Sequence, residues 1–208
     1  MKKIILYAIT VIVALFIVEQ VLTLPYIIKT AIKLPLFTIY PLYMMKGVKL
    51  SGNFKKPMVV AIMIFSIIII AYLILGVFID VEAIRYDMSH RMDINKSMFV
   101  IAALYTVFIN AFIEEVFFRG FIFKGLLDYS RKLAYIISAL SFAIYHIAIF
   151  MTWFNIGLTL LILFGLFVGG LIFNYFVEDT KSILSSYMIH IAADLAIVLI
   201  GIQVLGFA

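Results

Sequence analysis

Long apolar runs, separated by short stretches that carry the charges and prolines, make up most of the chain. They fall at about residues 4–24, 34–45, 58–79, 98–123, 133–150, 157–177 and 183–206. Most reach the roughly 20 residues that a helix needs to cross a hydrocarbon core. The second run is short and contains Pro35 and Pro41, so a kinked, tilted or re-entrant segment is expected there. The pattern predicts an all-α, polytopic transmembrane helix bundle of about seven spans. Lys2 and Lys3 precede the first run, which is long and carries Glu19 and Gln20 near its end. It lacks a small-residue cleavage site, so it is expected to be a retained span and not a signal peptide.

Composition strengthens this reading. Of 208 residues, 66% are hydrophobic and 13% charged, more apolar surface than a soluble domain of this length can bury. The lipid bilayer is therefore an obligatory partner. The absence of cysteine excludes disulfides, a thiolate nucleophile and thiolate metal ligands. The net charge of +5 sits in lysine-rich blocks between apolar runs, a pattern of membrane-face anchoring and not of nucleic-acid binding. One block is Lys46, Lys49, Lys55 and Lys56; another is Lys124, Arg131 and Lys132. Residues 80–96 instead mix Asp80, Glu82, Asp87 and Asp93 with basic residues and are expected to form a loop, with His90 solvated there. A cytoplasmic N-terminus puts both positive blocks in the cytoplasm and the mixed segment and C-terminus outside. Lys29 and Lys33 fall on the wrong side in that scheme. Gly165 and Gly169 are four apart, which predicts a helix-packing face. Glu178 to Ser182 is expected to be a short turn.

The stretch Asn110-Ala-Phe-Ile-Glu-Glu-Val-Phe-Phe-Arg-Gly120 breaks the apolar pattern inside a span. Ionisable groups in the hydrocarbon region cost roughly 2.5–3.5 kcal/mol each even on lenient scales, so these must face protein or water. At helical spacing Glu115 and Arg119 share a face. Glu114 points about 100° away, on the face of Asn110 and Phe118. Glu115 thus has a partner in its own helix and reads as half of a supporting pair. Glu114 has none there, which makes it the candidate general base. The groups available to it from other helices are His146 and His190, and Asp194 shares the face of His190. Measured along each span, Glu114, His146, His190 and Asp194 lie roughly 15, 20, 11 and 17 Å from the cytoplasmic end. Singly, each has a structural explanation: a hydrogen-bonded packing histidine, an ion pair, an orienting carboxylate. Together, at matching depth on three helices, they point to chemistry.

Glu114-Glu115-Val-Phe-Phe-Arg119-Gly120 resembles the Glu-Glu-x-x-x-Arg motif of the CPBP family, the CAAX proteases and bacteriocin-processing enzymes also called Abi proteins. Phe142-Ala-Ile-Tyr-His146 is similar to the second motif of that family, and His190-Ile-Ala-Ala-Asp194 to the third. The three occur in the family's order across about residues 98–195. Residues 1–97, the first three spans, carry no family motif, so 98–208 is expected to be the catalytic bundle. The resemblance implies a glutamate-type intramembrane endopeptidase acting on a peptide or membrane-associated protein. Glu114 and His146 would activate water, and His190 with residue 194 would stabilise the oxyanion. A carboxylate cannot donate to an oxyanion, so Asp194 has to be protonated or act by fixing the tautomer of His190. Members are often called metalloproteases, and Glu114, His146 and His190 are the residues that would hold a divalent metal such as zinc. No His-Glu-x-x-His helix is present, and a metal-free Glu/His pair explains the residues equally, so no obligatory cofactor is expected.

The compact, Ile- and Lys-rich chain points to a bacterial cytoplasmic membrane and away from a eukaryotic-style prenylated substrate. Two other classes use the same residues. A non-proteolytic bacteriocin-immunity or partner-binding protein would keep them as a polar core. A proton-coupled carrier would use them as a relay, but the chain shows neither an internal repeat nor paired broken helices.

Overall fold

The computed structural model describes residues 1–22, 24–45, 51–94 and 96–206. Lys46 and Lys49 of the first positive block lie outside the described residues. Among the described residues, eight helices follow in chain order. They are α1 (Lys2–Gln20), α2 (Tyr26–Met44), α3 (Lys55–Leu75, extended by a 3₁₀ turn Gly76–Phe78) and α4 (Val81–His90). A long helix α5 runs from Lys96 to Leu127, followed by α6 (Arg131–Phe150), α7 (Ile156–Thr180) and α8 (Ile183–Val204). Six of them are long and apolar enough to cross a membrane: α1, α3, α5, α6, α7 and α8. The chain is an all-α, multi-pass membrane protein.

Charge and capping chemistry set the helix ends. Asp80, Ser130, Asn155 and Ser182 cap α4, α6, α7 and α8, each accepting a first-turn backbone N–H. Mixed-charge residues 80–96, expected as a loop, therefore begin with a capped helix, whose exposed His90 stacks on Tyr86. The turn between α7 and α8 is tighter than expected. α7 continues through Thr180, and Lys181 alone takes the left-handed conformation (φ 59°) before the Ser182 cap.

The second apolar run, whose helix α2 is not among those six, is where sequence and structure differ most. The helix covers Tyr26–Met44, not 34–45, and continues through Pro35 and Pro41. Lys29 and Lys33 are not misplaced loop charges. Both lie inside α2 and are buried against protein, which resolves the conflict with the positive-loop pattern. At about 1.5 Å per residue, its 19 residues give α2 nearly the reach of its neighbours. It lies against α1 and α5, where Tyr7 of α1 donates to Leu36 O at 2.8 Å and Phe37 stacks on Phe117 at 4.2 Å.

Two ends of the bundle can be told apart. Ile4 packs beside Gly125, Gly52 beside Thr180, and a cleft joins Lys124 of α5 to Lys181. The N-termini of α1 and α3 and the α5–α6 and α7–α8 turns thus share one lysine-rich end. At the other, Arg91 clamps Asp87 with two hydrogen bonds of 2.6 Å and donates to Glu19 O and Ile149 O, tying α4 to the ends of α1 and α6. Trp153 Nε1 donates to the same Asp87 at 2.6 Å, and Lys29 Nζ to Glu19 O at 3.1 Å. Burial alone would raise Asp87, but the hydrogen bonds from Arg91 and Trp153 and the adjacent guanidinium charge outweigh it and hold the carboxyl below its usual range.

The core follows α5, whose segment Glu115–Phe123 is buried at every position. α3 buries only Pro57 and Ala61 fully and packs along α8, so its remaining apolar face is left for lipid. The expected glycine face behaves differently. A Cβ at Gly165 or Gly169 would meet nothing within 4 Å, whereas one at Gly170 would lie 2.9 Å from Ala139 Cα. Gly170 is the residue that lets α7 approach α6.

Candidate active site

α5 is not a uniform helix. Its π-helical segments Tyr105–Asn110 and Glu115–Phe123 flank one α turn, Ala111–Glu114. Such widened turns recur at functional sites because each shifts the register of the side chains that follow. Here the shift comes immediately after Glu114. Glu115 and Arg119 still pair at 3.2 Å, fully buried, as their spacing predicts. In a π turn, however, i+5 and not i+4 completes the turn, and the contact lacks hydrogen-bond geometry. None of the three guanidinium nitrogens has a hydrogen-bond partner among the described residues. Arg119 is held instead over Phe142 and Phe173, 4.2 and 4.7 Å from their ring centroids.

Glu114 is 1% exposed and its two oxygens face different surroundings. Oε1 accepts from Lys33 Nζ at 2.7 Å and from Asn110 Nδ2 at 2.8 Å. Lys33 Nζ also donates to Asn110 Oδ1, closing a three-residue ring. The expectation that only the histidines could partner Glu114 is thereby corrected: its cation comes from α2. Oε2 has no hydrogen-bond partner among the described residues. It faces His146 Nε2 at 3.9 Å and His190 Nε2 at 3.8 Å, too far for direct hydrogen bonds.

Both imidazoles are oriented through Nδ1. That of His146 donates to Phe142 O at 2.8 Å, an acceptor one turn back in α6. That of His190 donates to Glu115 Oε1 at 2.9 Å. A carbonyl or carboxylate can only accept here, so each Nδ1 carries its hydrogen and each Nε2 turns to Glu114. The group that orients His190 is therefore Glu115, not Asp194. Asp194 Oδ1 lies 3.8 Å from His190 Nε2, on the side of the imidazole that faces Glu114. Glu115 thus does more than pair with Arg119.

The structure brings Glu114, His146, His190 and Asp194 into one cluster, as their depths predict. It adds Lys33 and Asn110. Asn110 was already legible on the face of Glu114; Lys33 carries no motif and looked like a stray loop charge. Among the described residues, no group of three or more His, Asp and Glu side chains is arranged to hold a metal ion.

Residues 96–196 match the family model of the type II CAAX prenyl endopeptidase Rce1-like proteins. The match, over just under half of the chain, supports the CPBP-type family of CAAX proteases. The match spans Glu114, Glu115, Arg119, His146, His190 and Asp194, and leaves Lys33 outside. No curated protein and no solved structure matches the chain.

Proposed function

We propose that this chain is an intramembrane endopeptidase that hydrolyses a peptide or membrane-associated protein with water activated by Glu114 and His146. The observation that carries the reading is the convergence of two Nε2 atoms, at 3.9 and 3.8 Å, on the free carboxylate oxygen of Glu114. A water between these groups would lose a proton to Glu114 as its oxygen adds to the scissile carbonyl carbon. The oxyanion would form on the side of His190 and Asp194. Since Nδ1–H of His190 is committed to Glu115, a donor Nε2–H makes the ring an imidazolium, with the Glu115 carboxylate as its counter-charge. Collapse of the intermediate breaks the C–N bond, and the proton held by Glu114 passes to the leaving amine.

The scheme needs no metal. Lys33 already places a positive charge beside Glu114, at 2.7 Å. The lysine-rich end of the bundle favours a cytoplasmic N-terminus and cleavage towards the cytoplasmic half of the membrane.

The test is peptide cleavage by purified protein in proteoliposomes, comparing wild type with Glu114→Gln and His146→Ala, each with and without a chelator. Losses of about 10²–10⁴-fold in both variants, with no effect of the chelator on wild type, are expected. Folded variants that cleave as well as wild type would overturn the catalytic reading and leave partner binding as the function of the same polar core.

A further inference from the structure

We propose that Lys33 is a positioning residue of this active site: with Asn110 it anchors one oxygen of Glu114 and leaves the other free for the reacting water. The inference rests on the protease reading and extends the site beyond the family-matching segment, into α2.

Three observations carry it. First, the two carboxylate oxygens are divided without overlap. Both donors, Lys33 Nζ and Asn110 Nδ2, go to Oε1, and Oε2 alone looks at the histidines. A carboxylate held by one oxygen cannot rotate its second away from the reaction centre, and errors near 1 Å in such placement cost about 100-fold in rate. Second, the ammonium is itself fixed. Lys33 is 7% exposed, bonded to Asn110 Oδ1 and lodged 4.8 and 5.2 Å from the ring centroids of Tyr145 and Phe37. Third, α2 is anchored independently of the site. Lys29, one turn earlier, binds Glu19 at the end of α1, and Phe37, one turn later, stacks on Phe117. The position of Lys33 is thus set by packing, not by Glu114 alone.

Simple structural pairing and positioning make different predictions. The experiment measures kcat and KM for Lys33→Met and Asn110→Ala in proteoliposomes, together with apparent unfolding temperatures for Lys33→Met, Glu114→Gln and the double variant. A positioning role gives a fall of about 100-fold in kcat for Lys33→Met with KM within about twofold. Asn110→Ala falls in the same direction. Lys33→Met also unfolds at a lower temperature than wild type, and adding Glu114→Gln restores it, because the stranded carboxylate is gone. If Lys33→Met does not accumulate in the membrane, recovery of accumulation in the double variant replaces the thermal readout and Asn110→Ala supplies the kinetic one. Wild-type kcat in folded Lys33→Met, or no recovery in the double variant, overturns the proposal. Should Glu114→Gln cleave like wild type, the protease reading fails, while the thermal cycle still reads the Lys33–Glu114 pair, so the two failures are distinguishable.

Discussion

Arg119→Met should unmask how the middle of α5 is held together. The substitution keeps most of the side-chain volume and removes the cation. It leaves the fully buried Glu115 with His190 as its remaining partner. Breaking a buried ion pair from one side typically costs about 3–5 kcal/mol. The 4.2 Å stacking of the guanidinium on Phe142 is lost as well. For a chain of this size, each kcal/mol corresponds to roughly 2–4 °C, so the unfolding temperature should fall by roughly 6–20 °C. Glu115→Gln alone should also destabilise, because it orphans the arginine. The double variant should recover most of the loss, since neither half of the Glu115–Arg119 pair is left buried without the other and an amide oxygen at 115 can still accept from His190 Nδ1. Unfolding can be followed in detergent by the fluorescence of Trp153, the sole tryptophan. Additive losses in the double variant would refute the reasoning, and would mean that the 3.2 Å contact contributes nothing to stability.

Two further outcomes are expected. Asp194→Asn should retain cleavage within about tenfold, because an amide can donate where Asp194 sits, whereas Asp194→Ala should lose about 10²–10³-fold; equal activities of the two variants would remove residue 194 from oxyanion stabilisation. The Asp87 clamp should make its end of the bundle sensitive to acid. Its carboxyl lies below its ordinary value of 3.8 in the folded protein, so its contribution is full above that value and is lost as pH falls through the folded one. Asp87→Asn should cost about 2 kcal/mol at neutral pH, and the gap to wild type should close on acidification below about pH 4. A gap that does not change with pH would contradict this.

The local alphabet of the chain determined a good deal. The apolar runs specified an all-α membrane bundle because a helix is the structure that satisfies its own backbone in lipid, and their lengths located six spans to within a few residues. Costly ionisable groups in those runs marked Glu114, Glu115, Arg119, His146, His190 and Asp194 in advance, since charge placed in hydrocarbon has to be answered by protein or water. What answers each charge was a different matter. A partner on another helix leaves no periodic trace, so Lys33 looked like a stray loop lysine, and α2 like a short run broken by two prolines. Side-chain direction was hidden for the same reason. Nothing in the spacing of His190 and Asp194 reveals that the imidazole turns its Nδ1 to Glu115. The π segments around Glu114 shift the register by a fraction of a turn, below what residue spacing records. Gly170, and not the evenly spaced Gly165 and Gly169, makes the close approach because the neighbour at that height is the backbone of Ala139. Sequence determined which groups had to be buried; only the packing of α2, α6 and α8 around α5 decided which of them meet.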